Sequence, residues 1–395
     1  MEGSRSMGKK YLTRENLIYL LFISTYLHFA ITAVVFLGVG VFILCNKFNR
    51  KQVFVHPGSK FIPVFSAAAL LMALIAGNWF GAAAAVGFFI IVAITLWVRG
   101  VMRRGVFERA LSYCCVVSSF LAPLAFVQMK FFPPEDERAV LWFFNSNFMA
   151  YMCLIAFGIS AYKLLNGKGH LWIYAISLLA NIVSMYYCGS IFIWVDCFVV
   201  TAMLLVLFKK WPAVAILLGL LAVGAIALYF SPELMPRWYA VNDSSNSRFS
   251  IWRAAIQEIK KSPFIGKGFL AFNHINSNYP EAFAAPHTHN MLLELLLDFG
   301  ILGSALLIPF FVFYFKNLKR CFEYSVNRNT TNLILALVVA TAVHGFIDIV
   351  FIWIQTGGLL GLMLAGLGMD ERLLNRVASK PIKTPKAEPA PEQQA

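Results

Sequence analysis

Residues 79–98, WFGAAAAVGFFIIVAITLWV, run for twenty positions without a charge, and PAVAILLGLLAVGAIALYF (212–230) runs for nineteen. As helices rising about 1.5 Å per residue, such runs match a hydrocarbon core about 30 Å thick. They lack the alternation and turn punctuation of barrel strands, so the expected fold is all-α, a polytopic membrane helical bundle. Composition agrees: with 59% hydrophobic and 13% charged residues in 395, the runs have no polar face to show to water. The first apolar run is long and offers no small-residue cleavage site, so it is expected to stay as an anchor rather than a signal peptide.

Orientation follows from where Lys and Arg fall. Lys9, Lys10 and Arg14 precede the first run; Lys47, Arg50, Lys51 and Lys60 follow it; Arg99, Arg103, Arg104 and Arg109 fill the next basic loop. These read as cytoplasmic, as do Lys163, Lys168, Lys209, Lys210, Lys316, Lys319, Arg320 and Arg328. The loop MKFFPPEDERAV (129–140) carries three acids against two bases and reads as exterior. Because 12–45 is basic at both ends, parity asks for two short or tilted helices there, turning near His28 to Thr32, or a re-entrant pair. Further spans are expected over 61–77, 79–98, 110–128, 141–162, 171–188, 191–208, 212–230, 291–315, 332–350 and 351–368. That makes about twelve, with both termini cytoplasmic.

This topology divides the chain into an N-terminal bundle (1–230), one large exterior loop (231–289), C-terminal transmembrane helices (290–370) and a Pro-, Lys- and Glu-rich tail (371–395) expected to be disordered. A loop as long as 231–289 is usually functional or partly helical. Its centre, SRFSIWRAAIQEIKKSPFIGKGF, spaces Phe249, Ile251, Trp252, Ala255, Ile256 and Ile259 as an amphipathic helix stopped by Ser262-Pro263 and a Gly-x-Gly turn. The seven cysteines are scattered without disulfide or zinc spacing. The net charge of +14 lies mostly in cytoplasmic loops and tail, and calls for no nucleic-acid partner.

Protic side chains gather at one place, the mouth of AAPHTHNMLLELLLDFGILG (284–303). Asn290 suits the helix cap, and Glu294 and Asp298 recur below it at i+4 and i+8. Ionisable groups at membrane depth are costly unless they face a cavity or one another. His287 and His289 lie just ahead of the helix, where a neutral imidazole can accept a proton. His344 and Asp348 in HGFIDIVF are spaced i, i+4 and can back them.

At these residues the chain resembles the O-antigen ligase and polymerase superfamily of bacterial envelope glycosyltransferases. The resemblance rests on PHTHNMLLELLLDFGILG, SRFSIWRAAIQEIKKSPFIGKGFLAF, FNSNFMA (144–150) and HGFIDIVF, in that family's order around a large exterior loop. It implies transfer of a glycan from undecaprenyl pyrophosphate to a glycan or lipid acceptor, inverting and without a metal or other cofactor, in surface polysaccharide synthesis among the membrane lipids. By position, His289 matches the family's base, which deprotonates the acceptor hydroxyl, and Arg248 an arginine that holds pyrophosphate. Arg253 and Lys267 are further cations for that job, since a diphosphate leaving group needs charge-assisted donors. Asn290 and Glu294 would fix the pose of His289, with His287, His344 and Asp348 in support. Many members carry Ser-Arg where this chain has Ser190 and Ile191, so either Arg237 or another exterior base stands in, or the chain is a divergent member with an altered substrate or reduced activity.

Two other classes are compatible with the residues alone. A transporter or flippase would use Asp196, Glu294, Asp298 and Asp348 as an intramembrane path. A metallohydrolase of polyprenyl pyrophosphate would hold zinc with His287, His289, His344 and Asp348.

Overall fold

Caps, more than apolar content, decide where the helices begin. In a computed structural model of the chain, which describes residues 13–369 except 56, 236, 283, 284, 325 and 326, all regular structure among the described residues is helical. Thr13 accepts the Asn16 amide to start α1 (Arg14–Ser24), and His28 accepts the Ala30 amide to start α2 (Phe29–Cys45). The break expected near His28 to Thr32 thus falls at 25–28. Asn46 caps α3 (Lys47–Val53), and α4 (Phe61–Ile75) follows. Asn78 caps α5 (Trp79–Val101). Then come α6 (Arg104–Ser119) and α7 (Leu121–Phe131), before Asn145 caps α8 (Ser146–Asn166).

Helix α8 forms the centre, with nearly every residue from Phe148 to Ser160 buried. Around it pack α6, α9 (Leu171–Cys188), α10 (Ile193–Leu207) and, from far along the chain, α16 (Arg328–His344). At the edge lies α11 (Trp211–Phe230), apolar all round and without a buried residue, as a lipid-facing helix would be. The 231–289 segment supplies α12 (Val241–Lys261) and the short α13 (Ala271–Ile275). Helices α14 (Met291–Ala305), α15 (Ile308–Glu323), α16 and α17 (Ile354–Ala365) complete the described chain. The amphipathic helix starts at Val241, and its inward face is Ile251, Ala254, Ala255 and Glu258, while Phe249 and Ile256 stay exposed.

Five helical segments are long and apolar enough to cross a membrane, counting α6 with α7 as one, and seven if the bent pairs α2–α3 and α14–α15 each count as a span. Three shorter apolar helices, at 61–75, 193–207 and 354–369, stand beside them. The expectation of about twelve spans goes beyond this number. Lys9, Lys10 and the 371–395 tail lie outside the described residues.

Two expected spans are interrupted. Helix α16 stops at His344, and 345–353 is irregular apart from a 3-10 turn at Val350–Ile352. The 291–315 span is broken at Gly300, whose backbone is left-handed at φ 60°, and α14 and α15 meet at 81°. A broken helix in an apolar layer must have its freed backbone groups satisfied. The 263–268 loop does this: Ile301 N–H donates to Pro263 O at 2.9 Å and Leu302 N–H to Phe264 O at 3.1 Å, while Lys267 N–H donates to Leu297 O at 3.1 Å and Gly268 N–H to Asp298 O at 2.8 Å. Asp298 completes the plug by accepting from Ala271 N–H at 2.9 Å and Leu270 N–H at 3.2 Å.

Close approach at this plug requires glycine. A Cβ on Gly266 would lie 2.2 Å from the Asp298 carbonyl, which is backbone and cannot yield cheaply. Gly266→Ala is therefore expected to destabilise the fold by about 3 kcal/mol, read as a lower melting temperature of the detergent-purified protein. An unchanged melting temperature would contradict this packing.

Candidate active site

Two irregular segments are zipped together above α8. Asn290 caps α14 through Leu292 N–H at 3.0 Å and Leu293 N–H at 3.1 Å, and its own amide donates to Phe346 O at 3.1 Å. Met291 N–H donates to Gly345 O at 2.6 Å. These bonds bring 287–289, ahead of α14, against 345–349, beyond α16.

The result is a hydrogen bond between His289 Nδ1 and Asp348 Oδ1 at 2.8 Å. A carboxylate only accepts, so Nδ1 carries the proton and, in the neutral ring, Nε2 carries the lone pair. Asp348 is itself fixed: its Oδ2 accepts from Asn147 Nδ2 at 2.7 Å, and Asn147 Oδ1 accepts from Arg138 Nη2 at 2.5 Å. Arg138, Asn147, Asp348 and His289 thus form one chain of bonds. His289 has a left-handed backbone, φ 53°, and its side chain is about one-fifth exposed where Asp348 is buried.

The other expected residues separate into those near this chain and those that serve elsewhere. Arg248 lies beside it, its Nε donating to Ile347 O at 3.1 Å and its Nη1 to Ser244. His287 is buried, stacked on Phe148, with its ring centroid 4.3 Å from that of His289. Burial pushes its imidazole down to about 4, against the pull of Asp348, so it is neutral at pH 7. Glu294 accepts the Thr288 N–H at 2.7 Å, and Trp252 Nε1 donates to Thr288 O at 3.0 Å, so both hold the loop that carries His289.

His344, expected to back His289, instead donates from Nδ1 to Asp196 inside the bundle. That pairing accounts for the buried acid of α10. Lys267 also sits elsewhere, its Nζ 3.1 Å from Glu258 Oε1. Arg253 is exposed on α12, about 140° around the helix from Arg248.

Glu258 is buried and also accepts from Tyr279 at 2.6 Å and Lys261 at 2.9 Å. Burial alone would raise its carboxyl, but Tyr279, Lys261 and Lys267 together hold it down at about 2. A depressed folded value gives stability that is present above the unfolded pKa, about 4.3, and lost as pH falls through 4 towards 2. Proteolysis within 241–282 is therefore expected to accelerate between pH 4 and pH 2 in wild type, and to lose that pH step in Glu258→Gln.

One arginine was hidden from the sequence reading. Arg138, in the acidic 129–140 loop, donates from Nε to Cys188 O at 2.8 Å at the end of α9. A Cβ on Gly189 would lie 3.0 Å from Arg237 Cδ and 3.5 Å from Arg138 Cγ, so both side chains converge there, two residues before Ile191. Burial pulls the Arg138 guanidinium below its usual value, and the nearby Arg237 charge adds to it.

Ligand atoms of His287, His289 and Asp348 lie within 4.8 Å of one another, a donor set of zinc type. His289 N–H donates to His287 Nδ1 at 3.3 Å, which places the His287 proton on Nε2, the atom 3.8 Å from Asp348 Oδ1. The centre of the cluster therefore meets an N–H rather than a lone pair. A cavity of about 560 Å³ is lined by Arg14, Glu15, Arg103 and Arg104, among others, and contains none of the candidate residues.

Residues 175–308 match the family described as O-antigen ligase. The match includes Arg248 and His289 and stops short of Asp348; Arg138 and Asn147 precede it. A protein named "Putative polysaccharide ligase" from Rickettsia felis is 28% identical over 133 residues, 31% of this chain and 32% of its own length. A relative of the same description from Rickettsia conorii is 26% identical over 182 residues, 43% of each chain. The matches thus span less than half the length of these relatives. Over these stretches the chain is similar to the O-antigen ligase family and to these polysaccharide ligases.

Proposed function

We propose that the chain is a glycan ligase of the cytoplasmic membrane. It transfers a glycan from undecaprenyl pyrophosphate to an acceptor hydroxyl at the outer face. The observation that carries the reading is the Asp348-held His289, with its Nε2 lone pair free and Arg248 close by.

In the proposed reaction His289 Nε2 takes the acceptor proton as the acceptor oxygen attacks the anomeric carbon. The bond from that carbon to the diphosphate oxygen breaks, and its electron pair leaves with the lipid diphosphate. Arg248 presents a planar fork to the departing charge, and Asp348 stabilises the imidazolium. Attack opposite the leaving group inverts the anomeric centre, and the reaction gives no metal ion a role. The names of the Rickettsia relatives favour ligation over chain extension. The positive-inside pattern favours cytoplasmic termini, with 129–140 and 231–289 outside.

The transporter reading finds less support. Asp196, Glu294, Asp298 and Asp348 are each bonded to particular partners, His344, Thr288, the Leu270 and Ala271 amides, and His289 with Asn147, rather than lining an open path.

Expression in two strains, one lacking its surface-glycan ligase and one its polymerase, tests the proposal. Rescue of the ligase-deficient strain is expected. Rescue of the polymerase-deficient strain alone would reassign the reaction to chain extension, and rescue of neither with protein present in the membrane would count against glycan ligation.

A further inference from the structure

Several helix ends converge at the end of the bundle that carries the basic loops. Helix α1 starts there at Arg14, α5 ends at Val101 and α6 starts at Arg104, while α3 turns 110° from α2 and packs against α5. Between them opens the cavity of about 560 Å³, a volume in the range of small-molecule sites. It lies apart from every residue placed around His289.

The charges that line this cavity do not balance. Arg14, Arg103 and Arg104 face one acid, Glu15, so three guanidinium groups against one carboxylate leave two positive charges over. Glu15 is itself shared, with Arg103 Nη1 at 3.8 Å and Arg109 Nη2 at 3.6 Å. The next acid on α6, Glu108, is 2.6 Å from Lys163 Nζ and accepts from Tyr162. Arg14 sits 4.4 Å over the Phe48 ring, a contact that holds the guanidinium without neutralising it. Among the described residues no carboxylate pairs with Arg14 or Arg104.

The start of α6 adds to the excess. Arg103 stands at its N-cap and makes no side-chain capping bond, and the Arg104 and Gly105 amides have no acceptor among the described residues. An uncapped helix N-terminus carries about half a positive charge and offers N–H donors to an anion. The rest of the wall is largely apolar, with Ile18, Phe48, Val106 and Met369.

We infer that this cavity binds a phosphate group, that of an anionic phospholipid in the surrounding leaflet. Guanidinium forks match phosphate oxygens in geometry. Basic pockets between helix ends attract anionic headgroups, and apolar side chains beside them suit the glycerol and upper acyl region that adjoins the phosphate. The inference stands independently of the proposed glycan transfer.

The test uses the full chain purified in detergent, so that Asp370 and Glu371, which follow Met369 in the sequence, are present as competitors. Phosphatidylglycerol, or phosphatidylcholine as a zwitterionic control, is added and bound lipid is counted by native mass spectrometry. Wild type is expected to retain phosphatidylglycerol in preference to phosphatidylcholine. Arg104→Gln should weaken that binding about fivefold, and Arg14→Gln combined with it about twentyfold. Arg104→Lys, which keeps the charge, should recover most of the loss. Lys316→Gln with Arg320→Gln removes two exposed charges that line no part of the cavity, and should bind as wild type does.

An equal loss in that control pair would assign the effect to diffuse surface charge and overturn the inference. Unchanged binding in the Arg14→Gln, Arg104→Gln double variant would also overturn it. Calorimetry with inorganic phosphate separates the sources: Arg104-dependent binding of phosphate, without retention of phosphatidylglycerol, would keep the phosphate site and replace the lipid by a free anion. Glycan transfer is read in neither arm, so failure here is distinguishable from failure of the strain rescue.

Discussion

His289→Ala is expected to lower glycan transfer by about 10²–10⁴-fold, the usual contribution of a positioned general base, with little change in the amount of protein in the membrane. The side chain is partly exposed, and its one bond from the ring is to Asp348, so truncation leaves the capped start of α14 and the bonds of Asn290 to Phe346 and Met291 to Gly345 intact. Transfer assayed in isolated membranes, with protein quantified in the same samples, checks this. Activity within about threefold of wild type would remove His289 from the role of base.

Asp348→Asn is expected to come close to the same loss, about 10²-fold or more, although the change is nearly isosteric. The carboxylate forces the proton onto His289 Nδ1 because it has nothing to donate. An amide can donate as well as accept, so it permits the other tautomer, in which Nε2 carries the proton and cannot act as a base. In the hydrolase triad, the equivalent replacement costs about 10⁴-fold with the geometry intact. The double variant should be little worse than His289→Ala alone, since groups that act as a unit are not additive. A double variant about 10²-fold below His289→Ala would show that Asp348 works independently of His289.

What could be read from sequence was local. The charge-free runs specified an all-helical chain, and the gathering of His287, His289 and Asn290 before an apolar run picked out a segment that the structure sets against 345–349, because capping and interfacial chemistry are written within a few residues. What escaped depends on contacts made far along the chain. Asn147 stands 201 positions from Asp348, and Arg138 is 50 from Cys188, so a loop with more acids than bases gave no sign that its arginine would be drawn inward.

The same distance hid the plug. Gly300 within an apolar run reads as a tolerated helix residue, and its break becomes visible only when 263–268 supplies the missing hydrogen bonds. Lys267 was misplaced for that reason. Its loop is pinned against α14 by the backbone, which turns the ammonium group towards Glu258 rather than towards His289. His344 and Asp348 are four apart, yet the helix ends between them, and each finds a different partner.

The most direct measurement places purified protein in liposomes with a lipid-linked glycan donor and a hydroxyl-bearing acceptor, and follows the labelled glycan by mass spectrometry. The account predicts a new covalent glycan–acceptor product with wild type and almost none with His289→Ala. Glycan carried across the bilayer without any such product, or equal product from both proteins, would contradict it.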